Sequence, residues 1–350
     1  MDKSTMDHNQ VLKVLKRNRI RWLLLALLPV VCFLMSLAIG RYYVAPATVV
    51  RILGSHLLPL DITWREFDYS VVCQVRLPRV LLAMLVGAAL SIAGASFQGI
   101  FGNPLASPDA LGVSSGTGFG AALALLLFDR NMIAVQLWAL FFGMVAIGLT
   151  FLISRLRKGQ QVLMLILSGV VVSSFFQAMI SLIKYIADPE SKLPTITYWL
   201  MGSMATASYR DLAVVAGIIA VGAAILLLLR WRINLLSLSE EEAKSMGVNI
   251  TLLRWTVIGA ATLVTAATVS TCGFIGWVGL IIPHAARMLV GSDYRAILPA
   301  SLLLGATYML IIDLIARTAT ASEIPLSILT AVAGAPFFAY LLRKTGGGWG

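Results

Sequence analysis

Apolar residues in this chain run together rather than alternating with polar ones. Nearly charge-free stretches recur at 22–40, 80–101, 110–128, 132–153, 162–183, 212–229, 253–272, 274–290, 297–315 and 325–342. Crossing a bilayer takes about 20 mostly apolar residues per helix. The pattern therefore predicts an all-α membrane protein of about ten transmembrane helices. A shorter apolar piece at 196–204 cannot cross and is expected within an outer loop or a broken helix. The expected organisation is a basic cytoplasmic segment at 1–21, one transmembrane domain at 22–345 and a short tail at 346–350. The first apolar run is not followed by a small-residue cleavage site, so it is read as a retained span, not a secretory signal.

Composition supports that picture. The chain is 59% hydrophobic and only 12% charged, which excludes an ordinary soluble domain. A formal charge of +11 would suit nucleic acid, but the basic residues flank the apolar runs, where topology and lipid headgroups account for them. No nucleic-acid partner is expected. Lys and Arg favour cytoplasmic loops. Most of the 27 fall inside if both termini are cytoplasmic, so that orientation is predicted for a multi-pass protein of the cell (inner) membrane. Cys32, Cys73 and Cys272 are too scattered for a disulfide framework or a metal cluster.

Some cations fall on the wrong side of this topology. Arg76 and Arg79 in "VCQVRLPRVLLAMLVGAAL", and Arg317 in "YMLIIDLIARTATASEIP", lie outside. One reading is headgroup anchoring by snorkelling side chains; the other is a docking patch for an acidic partner. For Arg317 an internal pair with Asp313, four residues earlier, competes. The span interiors otherwise hold almost no Asp, Glu, Lys or Arg, whereas ion-coupled carriers usually keep such groups in the membrane. No G-x-x-x-x-G-K-[ST] phosphate loop occurs. Energy for uphill transport would have to come from another chain.

Small residues mark close packing. Gly112, Gly116 and Gly120 recur at four-residue spacing, and Gly273, Gly276 and Gly279 cluster where the seventh and eighth runs meet. His284 follows Pro283 and is read as a structural histidine. Two inner connections stand out. In "RWRINLLSLSEEEAKSMGVNITLLRW", Ser239 and Glu242 have capping-box spacing and Gly247 is placed to end a short surface helix. "QGIFGNPLASPDALG" has turn-starting Asn-Pro and Ser-Pro pairs and no Lys or Arg, as a buried subunit contact would.

"RLPRVLLAMLVGAAL", "GNPLASPDALGVSSG", "YWLMGS", "CGFIGWVGLIIPHAAR" and "EIPLSILTAVAGAPFFAYLLRK" together resemble the FecCD-type permeases, over nearly the whole chain from Arg76 to Lys344. These are membrane subunits of ABC importers for iron–siderophore complexes, haem and cobalamin. The resemblance implies a type II importer fold and a dimer with a second permease subunit, most simply a homodimer. It implies two ATPase subunits that bind ATP and Mg beneath it, and a periplasmic or lipid-anchored binding protein outside. It gives this chain no cofactor, no catalytic residue and no metal site. Arg76, Arg79 and Arg317 fall at positions that receive acidic residues of the binding protein. Asn103 and Leu105 fall at a cytoplasmic gate, and Gln161 and Val162 at a second. Residues 168–174 are nominated for the path. The loop at about 234–250, with Ser239, Glu242, Ala243 and Gly247, is similar to the ATPase-coupling loop.

The expected function is thus an importer permease for a metal chelate, with ferric siderophore as first choice and haem or a corrinoid as alternatives. A secondary transporter would need an intramembrane titratable site. An enzyme would need a convergent set that His8, His56 and His284 do not form.

Overall fold

The computed structural model describes residues 8–104, 106–128, 131–154, 161–237, 242 and 246–345. Its elements in chain order are α1 (His8–Ala38), α2 (Pro46–Gly54), α3 (Glu66–Tyr69), a π-helical stretch (Ser70–Arg76) and α4 (Leu77–Phe101). A short turn of 3-10 helix (Pro108–Leu111) leads into α5 (Val113–Leu127), α6 (Met132–Ser154), α7 (Gln161–Ile186) and α8 (Lys192–Leu200). Then come α9 (Tyr209–Ile233), a second 3-10 turn (Asn234–Ser237), α10 (Ile250–Cys272), α11 (Val278–Val290), α12 (Tyr294–Thr318) and α13 (Leu326–Thr345). Among the described residues, seven helices are long and apolar enough to cross a membrane. Three shorter apolar ones, α5, α11 and most of α13, complete the ten expected.

Helix ends follow local chemistry. Ser208, Asn249 and Asp293 each accept a backbone N–H of the turn that they open, at α9, α10 and α12. Gly102 ends α4 in the left-handed region at φ +56°. The apolar run at 274–290 yields only a 13-residue helix, because residues 273–277 leave the helical path. Trp277 there adopts φ +71°, an uncommon conformation for a side chain of its size. The short piece near 196–204 becomes α8 and a turn whose Gly202 and Met201 carbonyls accept the N–H groups of Leu326 and Ser327 at 3.0 and 3.2 Å. That staples α8 to the start of α13.

α4 is buried along almost its whole length, as expected of a helix that is apolar all round. α12 lies against it most closely where a Cβ on Gly87 would run into the Gly305 carbonyl. A second, smaller core joins α5, α6, α7 and α8 around Phe119, Phe142 and Phe176. Two faces result. One carries the turn after α4, the loop after α9 and the α11–α12 junction; it is called the basic face below, after its Lys and Arg. The other carries residues 39–69, the α8 region and the α12–α13 loop.

Candidate functional site

The three singled-out arginines converge at the second face. Arg76 sits where the π-helical stretch meets α4, Arg79 one turn further, and Arg317 in the last turn of α12. All three are at least nine-tenths buried. They do not form an outward-facing patch, and this corrects the expectation of an exposed rim.

Their partners explain the burial. Arg76 Nη1 donates to the Leu37 and Ala38 carbonyls at 2.7 and 3.0 Å, and Nη2 donates to the Tyr42 carbonyl. Arg317 donates to the Ser36 carbonyl. The Ser36, Leu37 and Ala38 carbonyls belong to the last turn of α1, where intrahelical donors run out and cations are favoured by the helix dipole. Two arginines thus cap one helix end. Arg79 Nε donates to Asp313 Oδ1 at 2.8 Å and Nη1 to Glu323 Oε1 at 2.7 Å. Arg317 Nε pairs with Asp313 Oδ2 at 3.4 Å, as the four-residue spacing suggests. Asp313 is completely buried, and among the described residues these two guanidiniums offset the cost of burying its charge. Glu323 is the more exposed member, with 27% of its side chain accessible. Sequence reasoning missed it. Its only signal was being the lone carboxylate between α12 and α13.

Gate and coupling residues are more dispersed. Asn103 is exposed on the turn after α4 at the basic face, while Leu105 lies outside the described residues. Gln161 and Val162 begin α7. Ser239 and Ala243 lie outside the described residues. The Met246 N–H donates to the Glu242 carbonyl at 3.3 Å, and Gly247 follows at φ +72°, the conformation a helix-ending glycine adopts. Both Glu242 and Gly247 are exposed.

Along α7, Ser174, Gln177 and Ser181 are exposed on one face, at three- and four-residue spacing. Ser174 and Ser181 hydroxyls donate to the carbonyls of Val170 and Gln177, each one turn back, at 2.9 and 3.0 Å. Gln177 Nε2 reaches the Ser115 hydroxyl on α5 at 3.4 Å. Ser174 ends the 168–174 stretch nominated for the path; Gln177 and Ser181 extend it. Among the described residues, no group of three or more His, Cys, Asp or Glu side chains is arranged to hold a metal ion.

A ten-helix apolar bundle with a broken-helix interior and a charged node at one end defines a multi-pass membrane protein. The chain belongs to the FecCD transport family, whose sequence profile matches residues 27–344. It is 45% identical to the molybdate import system permease protein MolB of Haemophilus influenzae, covering 91% of this chain and 94% of that one. It is 43% identical to a protein of Helicobacter pylori named as an iron chelatin transport system permease, covering 86% and 95%. A solved chain described as an inward-facing conformation of an ABC transporter of metal-chelate type superposes with a TM-score of 0.84. It shares 43% identity, covering 93% of this chain and 99% of that one.

Proposed function

We propose that this chain is one of two permease subunits in an importer driven by ATP hydrolysis on separate ATPase subunits. It would translocate a metal chelate of the ferric siderophore class that a substrate-binding protein delivers. The observation that carries the reading is the exposed polar stripe Ser174, Gln177 and Ser181 on a mostly apolar spanning helix. Polar groups on such a helix are unfavourable toward lipid and suit a water-filled path or a second subunit. Leu167, Val170, Val171 and Phe175 are exposed along the same helix, which supports a partner copy there.

The buried arginines refine the docking role. Arg79 already holds a carboxylate of its own chain at the accessible end of the node, Glu323. A carboxylate of the binding protein would replace Glu323 on Arg79 Nη1, a charge-assisted hydrogen bond for another. Arg76 and Arg317 would hold the α1 end in place while this happens.

A second substrate reading, molybdate, is favoured by the identity to MolB. Haem and cobalamin are named for more distant relatives at 35% and 38% identity. The deciding experiment reconstitutes the permease with its ATPase and binding protein in vesicles. ATP-dependent import of radiolabelled ferric siderophore is expected, with none when molybdate is offered. Import driven by an ion gradient without ATP, or ATP hydrolysis by this chain alone, would overturn the assignment.

A further inference from the structure

At the basic face, one side chain ties the end of α9 to the start of α12. Asn234 Nδ2 donates to Asp293 Oδ1 at 2.8 Å, and Asn234 Oδ1 accepts the Tyr294 N–H at 3.0 Å. A single planar amide thereby supplies both a donor and an acceptor to an element about sixty residues away. The same oxygen, Asp293 Oδ1, also accepts the Arg295 N–H at 2.9 Å.

The tie continues inward. Tyr294 is buried and lies against Gly99 of α4, where an added Cβ would stand 3.0 Å from the Tyr294 ring and 2.5 Å from Ile233. Only glycine at position 99 lets α9 and α12 approach α4 so closely. Arg287 Nη2 of α11 donates to the Tyr294 hydroxyl at 3.4 Å and to Gln98 Oε1 of α4 at 3.2 Å. Gln98 Nε2 then donates to the Leu280 carbonyl of α11 at 3.2 Å. A contiguous set of bonds and packed atoms therefore runs from residue 234 to α4, α11 and α12. The far end of the same loop is held differently. Asn249 accepts the Leu252 N–H at 3.0 Å, a bond within α10 itself.

We propose that Asn234 is a positioning residue of the transport cycle. It fastens the α9 end of the 234–250 loop to α12 and, through Tyr294, Arg287 and Gln98, to α4. A displacement of that loop by an ATPase subunit then reaches α4 and the turn carrying Asn103, rather than being absorbed where the loop leaves α9. The physical reason is stiffness. α4 is packed on nearly every side and responds to a push as a body, since close-packed interiors transmit displacement instead of damping it. The inference rests on reading 234–250 as the ATPase-coupling loop.

The test uses the permease assembled with its cognate ATPase and binding protein in vesicles. Asn234→Asp keeps the acceptor for Tyr294 but sets a second carboxylate against Asp293. Combining Asn234→Asp with Asp293→Asn removes the like-charge contact: with the 293 amide turned so that its Oδ1 keeps the Arg295 N–H, its Nδ2 donates to the carboxylate at 234, which still accepts the Tyr294 N–H. Import per ATP hydrolysed is expected to fall about tenfold in the single variant, within the range of coupling that such networks carry. The double variant is expected to recover it. The ratio is chosen because loss of folded protein lowers import and hydrolysis together and leaves it unmoved. An unchanged ratio in the single variant, or a lowered ratio that the double variant does not recover, overturns the proposal. Wild-type permease that binds no ATPase would overturn the coupling-loop reading and this inference with it; a normally coupled Asn234→Asp complex would overturn this inference alone.

Discussion

Arg79 and Asp313 join α4 to α12 through a buried charge pair, Nε to Oδ1 at 2.8 Å, and Asp313 also faces Arg317. One carboxylate thus serves two guanidiniums. Asp313→Ala leaves both without their shared counter-charge in a low-dielectric site, and breaking a buried pair this way costs about 3–5 kcal/mol. The subunit in detergent should melt at a clearly lower temperature, and Glu323→Ala should cost much less because Glu323 is partly exposed. Equal effects of the two changes would mean that Asp313 is not the hub.

Glu323→Gln separates the docking role from the structural one. It keeps the shape of the loop while removing the charge that competes for Arg79. If a partner carboxylate takes that place, binding-protein affinity should rise, and its salt dependence should steepen as a rim charge pair would dictate. Arg79→Glu should abolish docking but also lower the melting temperature. Unchanged affinity in Glu323→Gln would leave Arg79 as a purely internal group.

The α4–α12 contact sets a packing prediction. A methyl on Gly305 would meet the Ser91 side chain and the Gly87 carbonyl, so Gly305→Ala must push two helices apart. Overpacking of a tight core costs about 1–3 kcal/mol, and backbone contact puts this case at the upper end. Gly217→Ala and Gly259→Ala meet nothing within 4 Å and should melt as wild type does. Similar loss in all three would show that the cost is not steric.

At the basic face, Asn103→Cys tests the gate. The residue is exposed on the turn after α4, and the proposed gate role requires the two subunits' copies to approach there. Crosslinking between subunits should form in one nucleotide state and not another, and should block import. Accessibility that never changes through the cycle would argue for a static turn.

Asp293 supplies a pH signature. The Arg295 backbone N–H, with help from the Asn234 amide, holds its carboxyl below the ordinary value of 3.8. A depressed folded pKa means that its contribution is full above that ordinary value and is lost as pH falls through the lower folded one. Losing such a cap costs about 1 kcal/mol. Asp293→Ala should therefore melt lower than wild type near neutral pH, and the difference should shrink in strong acid. A constant gap across that range would locate its effect elsewhere than in the ionised cap.

Ten apolar runs of spanning length, the lack of a phosphate loop and the bias of Lys and Arg are one-dimensional quantities. The number of helices and the membrane class follow from them. The Asp313–Arg317 pair was legible for the same reason, because a four-residue spacing on a helix is a contact in itself. Partnership across the chain is not. That Arg76 caps the end of α1, that Glu323 occupies Arg79, and that Asn234 binds Asp293 depend on residues 34 to 244 positions apart meeting at chosen ends. Exposure was misjudged for the arginines because position near a membrane face says nothing about which way a side chain turns. Only the packing of α1, α4 and α12 made those cations interior, since the carbonyls of the last turn of α1 and the carboxylates of Asp313 and Glu323 were brought there by tertiary contact.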